Sequence, residues 1–204
     1  MILLVVPISH THYVMPPIGL GYLAAALRRG GFDEVVILDC VKEGLSFNGF
    51  RGFLERIKPR IVGFQIFSYD FDSVVKSIEI VKQLNHETKV LIGGAHVSAT
   101  SALALEEIKQ ADYGFVGEGE IGLPMLAGRL LRDEQIPLEN IPGLIWRENS
   151  SIRENARTGV EDLDSLGFQP WDLMPPASYP DNPQGGFYKR FPIAPISTTR
   201  GCPY

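Results

Sequence analysis

Short apolar, β-branched runs alternate along this chain with longer stretches whose apolar positions recur at helical spacing. That alternation is expected of parallel strands buried on both faces by crossover helices. Five strand–helix units are predicted, with strands at residues 2–6, 34–39, 61–66, 89–92 and 113–116. The helices fall at about 18–29, 50–58, 72–85, 98–108 and 121–131. Local punctuation supports these limits. Gly30-Gly31 can close the first helix by taking the left-handed conformation, and Pro59 steers the end of the second away from helical geometry. Asp72 or Ser73 can cap the third, whose Val74, Ile78, Val81 and Leu84 form one stripe. Ser98 or Thr100 is expected to start the fourth.

The fold class implied is α/β: a doubly wound, flavodoxin-like, five-stranded parallel sheet in the order 2-1-3-4-5, occupying residues 1–135. Residues 136–160 read as a β-hairpin extension, with strands at 141–147 and 151–153 beside the sheet edge. Residues 161–192 are rich in Pro, Gly, Asp and aromatics without sustained periodicity, and are expected to form a linker held by anchors such as Trp171. A last apolar run begins at residue 193 and ends in Arg200-Gly201-Cys202-Pro203-Tyr204.

Composition narrows the function classes. The chain has 204 residues, 45% hydrophobic and 21% charged, enough for one α/β domain with an appendage and a core that requires no staples. Its net charge is -5 and it has no run of Lys or Arg, so the electrostatic footprint of nucleic-acid binding is missing. Cys40 and Cys202 lie far apart without a secreted disulfide pattern, which points to a reducing compartment, the cytoplasm. The opening apolar run is only of strand length, lacks a basic leader and meets Pro7, so neither a signal peptide nor a membrane segment is expected.

In an open parallel sheet, ligands bind beyond the carboxyl ends of the strands, near the point where strand order reverses. The strand-end loops are therefore the candidate site. Gly93-Gly94 would let backbone approach a bulky ligand, with His96 and Val97 at the following helix start; the glycine pair serves equally well as a tight strand-to-helix turn. Gly117-Glu118-Gly119-Glu120 also joins a strand to a helix, where acidic residues suit the helix dipole with or without a ligand. Gly19-Leu20-Gly21-Tyr22-Leu23-Ala24 matches the dinucleotide fingerprint G-x-G-x-x-A, with Asp39 downstream. In that fingerprint the glycines follow the first strand directly, whereas here residues 7–18 intervene and Gly19 falls inside the first helical turn.

Taken in order, Pro16-Pro17-Ile18-Gly19-Leu20-Gly21-Tyr22-Leu23-Ala24, Gly93-Gly94-Ala95-His96, Val116-Gly117-Glu118-Gly119-Glu120, Ile141-Pro142-Gly143-Leu144 and Glu161-Asp162-Leu163-Asp164-Ser165-Leu166 resemble radical-SAM proteins that carry an N-terminal B12-binding domain. The tail Thr198-Thr199-Arg200-Gly201-Cys202-Pro203-Tyr204 resembles the approach to their C-x-x-x-C-x-x-C motif. The resemblance implies that residues 193–204 begin a truncated radical-SAM domain and that Cys202 is the first ligand of a [4Fe–4S] cluster this fragment cannot complete. It implies cobalamin over the strand ends, its nucleotide tail beside Gly93, Gly94, His96, Val97, Gly117, Glu118, Gly119 and Glu120, and its corrin bracketed by Tyr13, Pro17, Ser68 and Tyr69. No D-x-H-x-x-G occurs, since Ile8, His10, Leu84 and Gly94 stand two before the histidines, so a histidine ligand to cobalt is not expected; the resemblance implies base-off cobalamin without a protein histidine ligand, and the absence also fits a domain that has lost cobalamin. The full-length enzyme would also use S-adenosylmethionine, with methyl transfer or related radical chemistry, in partnership with the missing radical-SAM barrel of the same chain. The competing reading is a degenerate B12-like domain that serves as a structural or substrate-recognition module without cobalamin.

Overall fold

The structure, a computed structural model, describes residues 1–11, 14–181 and 189–201. Five strands alternate with helices in chain order: β1 (Ile2–Val6), α1 (Ile18–Arg29), β2 (Val35–Asp39), α2 (Phe47–Ile57), β3 (Ile61–Gln65), α3 (Phe71–Leu84) and β4 (Lys89–Gly93). Then come α4 (Ala95–Thr100), α5 (Ala102–Glu107), β5 (Tyr113–Phe115), α6 (Gly122–Arg132) and a hairpin, β6 (Leu144–Glu148) and β7 (Ser151–Glu154).

The sheet runs β2-β1-β3-β4-β5-β6-β7. Its first five strands pair in parallel and follow the expected order. The expectation of five strands is corrected to seven, because β6 pairs antiparallel with β5, and β7 with β6. The physical reason is that Leu144, Ile145 and Trp146 are buried, so the hairpin covers what would otherwise be an open strand edge.

Period-two alternation divides the strands between two cores. Leu3, Val5, Val62, Phe64 and Ile92 pack with residues of α2, α3, α4 and α5, whereas Ile2, Leu4, Ile61 and Leu91 pack with α1 and α6. This places α1 and α6 on one face and the other helices on the opposite one.

Helix starts differ from expectation in informative ways. α2 begins at Phe47, earlier than expected, because the Ser46 hydroxyl accepts a hydrogen bond from the Gly49 amide at 3.2 Å. α3 begins at Phe71 without a side-chain cap, and the Ser73 hydroxyl instead donates to the Ile8 carbonyl, tying the first loop to α3. α4 starts directly after Gly94, and a left-handed Ser101 (φ 55°) separates it from α5, so the single helix expected from Ser98 or Thr100 becomes two.

Arg147 fastens the hairpin to α5. Its guanidinium donates to the carbonyls of Ala111 (2.6 Å), Ile108 (3.3 Å) and Leu105, satisfying backbone acceptors at a helix end. Burial lowers its pKa, with Asp112 opposing.

The segment after residue 160 is better anchored than its composition implies. Leu166, Gln169, Met174 and Tyr179 are buried, whereas Trp171 is half-buried. A Cβ on Gly21 would run into the Met174 methyl and lie 3.2 Å from the Gln169 Cβ, so this glycine makes room for the segment. Arg28 adds a bidentate pair with Asp172 at 2.9 and 2.7 Å.

Replacing Arg147 by Leu leaves carbonyls at the α5 end without their donor. Chemical denaturation should show a loss of about 1 kcal/mol, discounted for the partly exposed guanidinium. An unchanged denaturation midpoint would show that water replaces these bonds at no cost.

Candidate functional site

A cleft of about 430 Å³ opens at the carboxyl ends of the strands, between the sheet and α1. It lies beside the junction of β1 and β3, where the winding reverses. Its floor comes from strand periodicity. Gly63 pairs with Leu4 on one side and Leu91 on the other, and Gln65 pairs with Gly93. Because Ile61 and Leu91 belong to the α1-side core, the period of two places Gly63, Gln65 and Gly93 on that same face. Two glycines thus stand where bulkier residues would fill the space beneath α1.

Free volume differs among the glycines. A Cβ on Gly93 would approach nothing closer than the Phe115 carbonyl at 3.9 Å, and one on Gly19 would meet nothing within 4 Å. Gly94 is different. Its φ is +101°, and a Cβ there would lie 2.9 Å from the Ile66 carbonyl oxygen, so only glycine fits. That close approach allows the Ile66 amide to donate to Gly93 at 2.7 Å and the His96 amide to donate to Ile66 at 3.1 Å. Gly94 makes the turn while Gly93 lines the cleft, so both readings of the pair hold.

The cleft brings together Gly93, Gly94, Gly117, Glu118, Gly119 and Glu120. The other expected contacts stand elsewhere. Val97 is fully buried in the opposite core. Ser68 and Tyr69 lie in a 3₁₀ turn outside the cleft lining, with Tyr69 70% exposed and its ring stacked on Phe67 at 5.6 Å. His96 packs against Phe71, its Nδ1 lies 3.0 Å from Ser68 Oγ, and its Nε2 is enclosed without a partner. Pro17 precedes α1 and does not line the cleft. Tyr13 and Cys202 lie outside the described residues.

The two glutamates have a different task from the helix-dipole role read in the sequence, since α6 starts only at Gly122 with no acid in its first turn. Glu118 Oε1 lies 3.4 Å from Arg200 and Glu120 Oε1 lies 2.7 Å from it. The other oxygen of Glu118 accepts from the Val160 amide at 2.8 Å, and the Arg200 guanidinium also sits 4.7 Å from the centre of the Tyr22 ring. Burial alone would lower the pKa of Arg200, but Glu120 and Glu118 more than offset it, so the net shift is upward.

Gly19, Tyr22, Gly63, Gln65 and Arg200 also line the cleft and were not candidates. Gly63 was detectable, because a glycine inside an apolar strand signals a close approach. Gln65 was the one polar side chain in its strand, and its Oε1 is buried with no hydrogen-bond partner. Arg200 had been read only as part of the cysteine motif. Among the described residues, no cluster of three or more His, Cys, Asp or Glu side chains could hold a metal ion, and no helix is long and apolar enough to cross a membrane.

Against this geometry the comparisons are specific. The family described as "B12 binding domain" matches residues 4–127. The chain is 31% identical over 193 residues to an uncharacterized methyltransferase of Pyrococcus horikoshii, covering 93% of this chain and 39% of that protein. It is 26% identical over 196 residues to the anaerobic magnesium-protoporphyrin IX monomethyl ester cyclase of Rubrivivax gelatinosus, covering 93% of this chain and 34% of that one. Two solved structures share the fold. The radical S-adenosylmethionine methyltransferase TsrM from Kitasatospora setae aligns with TM-score 0.65 and 23% identity, covering 76% of this chain and 30% of its own. The cobalamin-dependent S-adenosylmethionine radical enzyme OxsB, with aqua-cobalamin and S-adenosylmethionine bound, aligns with TM-score 0.67 and 17% identity, covering 78% of this chain and 22% of its own. The chain therefore spans 39% and 34% of the length of these two curated relatives. Because the family match takes in every strand-end loop from β1 to β5, the chain belongs to the B12-binding domain family.

Proposed function

We propose that this chain is the cobalamin-binding module of a radical-SAM enzyme, a methyltransferase or an enzyme of related radical chemistry. The observation that carries the cobalamin reading is the glycine-floored cleft at the strand ends, which lies within the family match. The radical-SAM reading rests on the names of the relatives and on the tail leading to Cys202. In that reading the partner is a radical-SAM barrel with a [4Fe–4S] cluster and S-adenosylmethionine, absent from the 204 residues, and the fragment alone is not catalytic. A cytoplasmic location accords with the spacing of Cys40 and Cys202.

The residues present fit the cofactor. At about 430 Å³ the cleft suits a nucleotide-sized tail and is too small for a corrin, which is left to the outer surface of the strand-end loops. Gly63 and Gly93 leave the space, and the unpartnered Gln65 Oε1 can accept a hydrogen bond from a ligand N–H or O–H, ending its cost as a buried orphan. Gly117 and Gly119 keep the rim low, and Leu23, Leu123 and Phe115 exclude water from the walls. His10 is exposed and no D-x-H-x-x-G exists, which supports cobalamin without a histidine ligand from this chain; that it is bound base-off is part of the proposal. When bound, cobalamin supplies a cobalt centre able to carry a methyl group, while the protein supplies orientation. Ser68, Tyr69 and Pro17 stay proposed as corrin contacts from the loops above the strand ends, Tyr13 stays proposed from the sequence alone, and His96 stays proposed through its enclosed Nε2. Val97 would act only by fixing the position of α4.

Purified protein mixed with hydroxocobalamin and desalted should retain its visible absorbance in about equimolar amount. Gly93→Leu, whose Cβ would meet the Phe115 carbonyl oxygen only at an ordinary 3.9 Å, should weaken binding at least about tenfold, equivalent to 1.4 kcal/mol, with an unchanged thermal midpoint. Absence of retained colour in the unaltered protein would favour the cobalamin-free structural module, and equal binding by Gly93→Leu would remove the cleft from the site. Gly94→Ala should instead lower stability by roughly 1–3 kcal/mol, read by denaturation, because both its conformation and its space exclude a side chain. Full stability in that variant would contradict the close approach to Ile66.

A further inference from the structure

The segment after residue 160 is held in two physically different ways. Its first half is anchored by burial, through Leu166, Gln169, Met174 and Tyr179. In its second half, among the described residues 189–201, no side chain is buried, and Ile196 is 72% exposed. Yet Ser197, Arg200 and Gly201 line the cleft. The Ser197 hydroxyl donates within its own turn, to the Thr199 carbonyl at 3.0 Å. At the cleft this end is attached by the Arg200 guanidinium, through Glu120 (2.7 Å), Glu118 (3.4 Å) and the Tyr22 ring (4.7 Å), while Phe191, Pro192 and Ile193 lie across a small pocket from Pro16 and Tyr179.

The acidic side of that attachment is built into the site. Glu120 is only 6% exposed, and Arg200 is its partner. Glu118 holds the segment twice, at the Val160 amide and at Arg200, so the loop between β5 and α6 fixes residues 160 and 200 at the cleft rim. A guanidinium shared by two carboxylates and a ring is stronger than an ordinary surface pair, but it costs far less to open than a buried apolar anchor.

We propose that residues 197–201 form a strap across the cleft, latched by Arg200 on Glu118 and Glu120, and that ligand exchange requires this latch to open. The exchange part of the proposal rests on the cobalamin reading, whereas the latch does not. The same contacts make Glu118 and Glu120 positioning residues for the chain leading to Cys202. A charge-held strap lets the side wall of the cleft open while the sheet, α1 and the anchors at Met174 and Tyr179 stay in place. Salt weakens such a latch, although less than it would weaken a fully exposed pair.

Two measurements test this on the full chain. A maleimide dye is attached to Cys202; Cys40 does not compete, because it is buried and burial pushes its thiol up to about 12. Dye anisotropy should fall in Arg200→Ala and Glu120→Gln, fall less in Arg200→Lys, and fall in the unaltered protein as salt is raised, while circular dichroism at the measuring temperature shows the domain still folded in each case. Anisotropy that ignores these changes overturns the latch. The second measurement is dissociation of hydroxocobalamin, followed by its absorbance with an excess of a competing binder. Dissociation should be about tenfold faster in Arg200→Ala than in the unaltered protein, and the variant should lose the salt dependence the unaltered protein shows. Equal rates overturn the gating role. If the unaltered protein retains no hydroxocobalamin, the cobalamin reading and the gating role fail together, and the anisotropy still decides the latch.

Discussion

A right-handed crossover places α1 on one face of the sheet and α2 and α3 on the other, so the chain leaves the neighbouring ends of β1 and β3 in opposite directions. The crevice that results is a consequence of winding and would exist with many side chains. What makes it a usable cleft is local. Gly63, between Leu4 and Leu91, and Gly93, beside Gln65, fall on the α1 side of β3 and β4 and leave the floor open. Gly94, one residue on, turns the chain tightly enough that α4 packs against Ile66 instead of rising over the opening.

The rim is governed by charge rather than by packing. Glu118 and Glu120 would repel each other and suffer from burial if left alone, and the Arg200 guanidinium resolves both problems. That exchange links the cleft to the segment that leads toward Cys202. The same two residues thus belong both to the cleft and to the connection beyond it, which explains why a loop of alternating glycine and glutamate can be demanded by something other than a helix start.

The sequence made the layered architecture legible because strand alternation and helix stripes are long-range, redundant signals. The positions of β1 to β5 and the placement of Gly19 inside α1 follow from periodicity, and the strand order is the one common to flavodoxin-like doubly wound sheets. The seven-stranded sheet did not follow, since whether a hairpin stands apart or continues a sheet depends on Leu144, Ile145 and Trp146 finding a neighbouring edge. Ser98 looked like a helix start from its capping preference, but Gly94 allowed an earlier one and Ser101 broke the helix; neither is visible without the backbone of Ile66 and the left-handed φ. At the site, loop composition identified Gly93, Gly94 and residues 117–120, while Gly63 and Gln65 were hidden within a strand. Arg200 was hidden by distance, since its ion pairs span about eighty positions of chain.

The central claim is that the cleft floored by Gly63 and Gly93 receives the nucleotide end of a cobalamin. Comparing hydroxocobalamin with cobinamide, which keeps the corrin and lacks the nucleotide, tests it most directly by equilibrium titration of the same protein. The account predicts that cobinamide binds at least about tenfold more weakly, a difference of 1.4 kcal/mol or more. Equal affinity for the two would contradict it, because a ligand without the tail would then lose nothing by leaving the cleft empty.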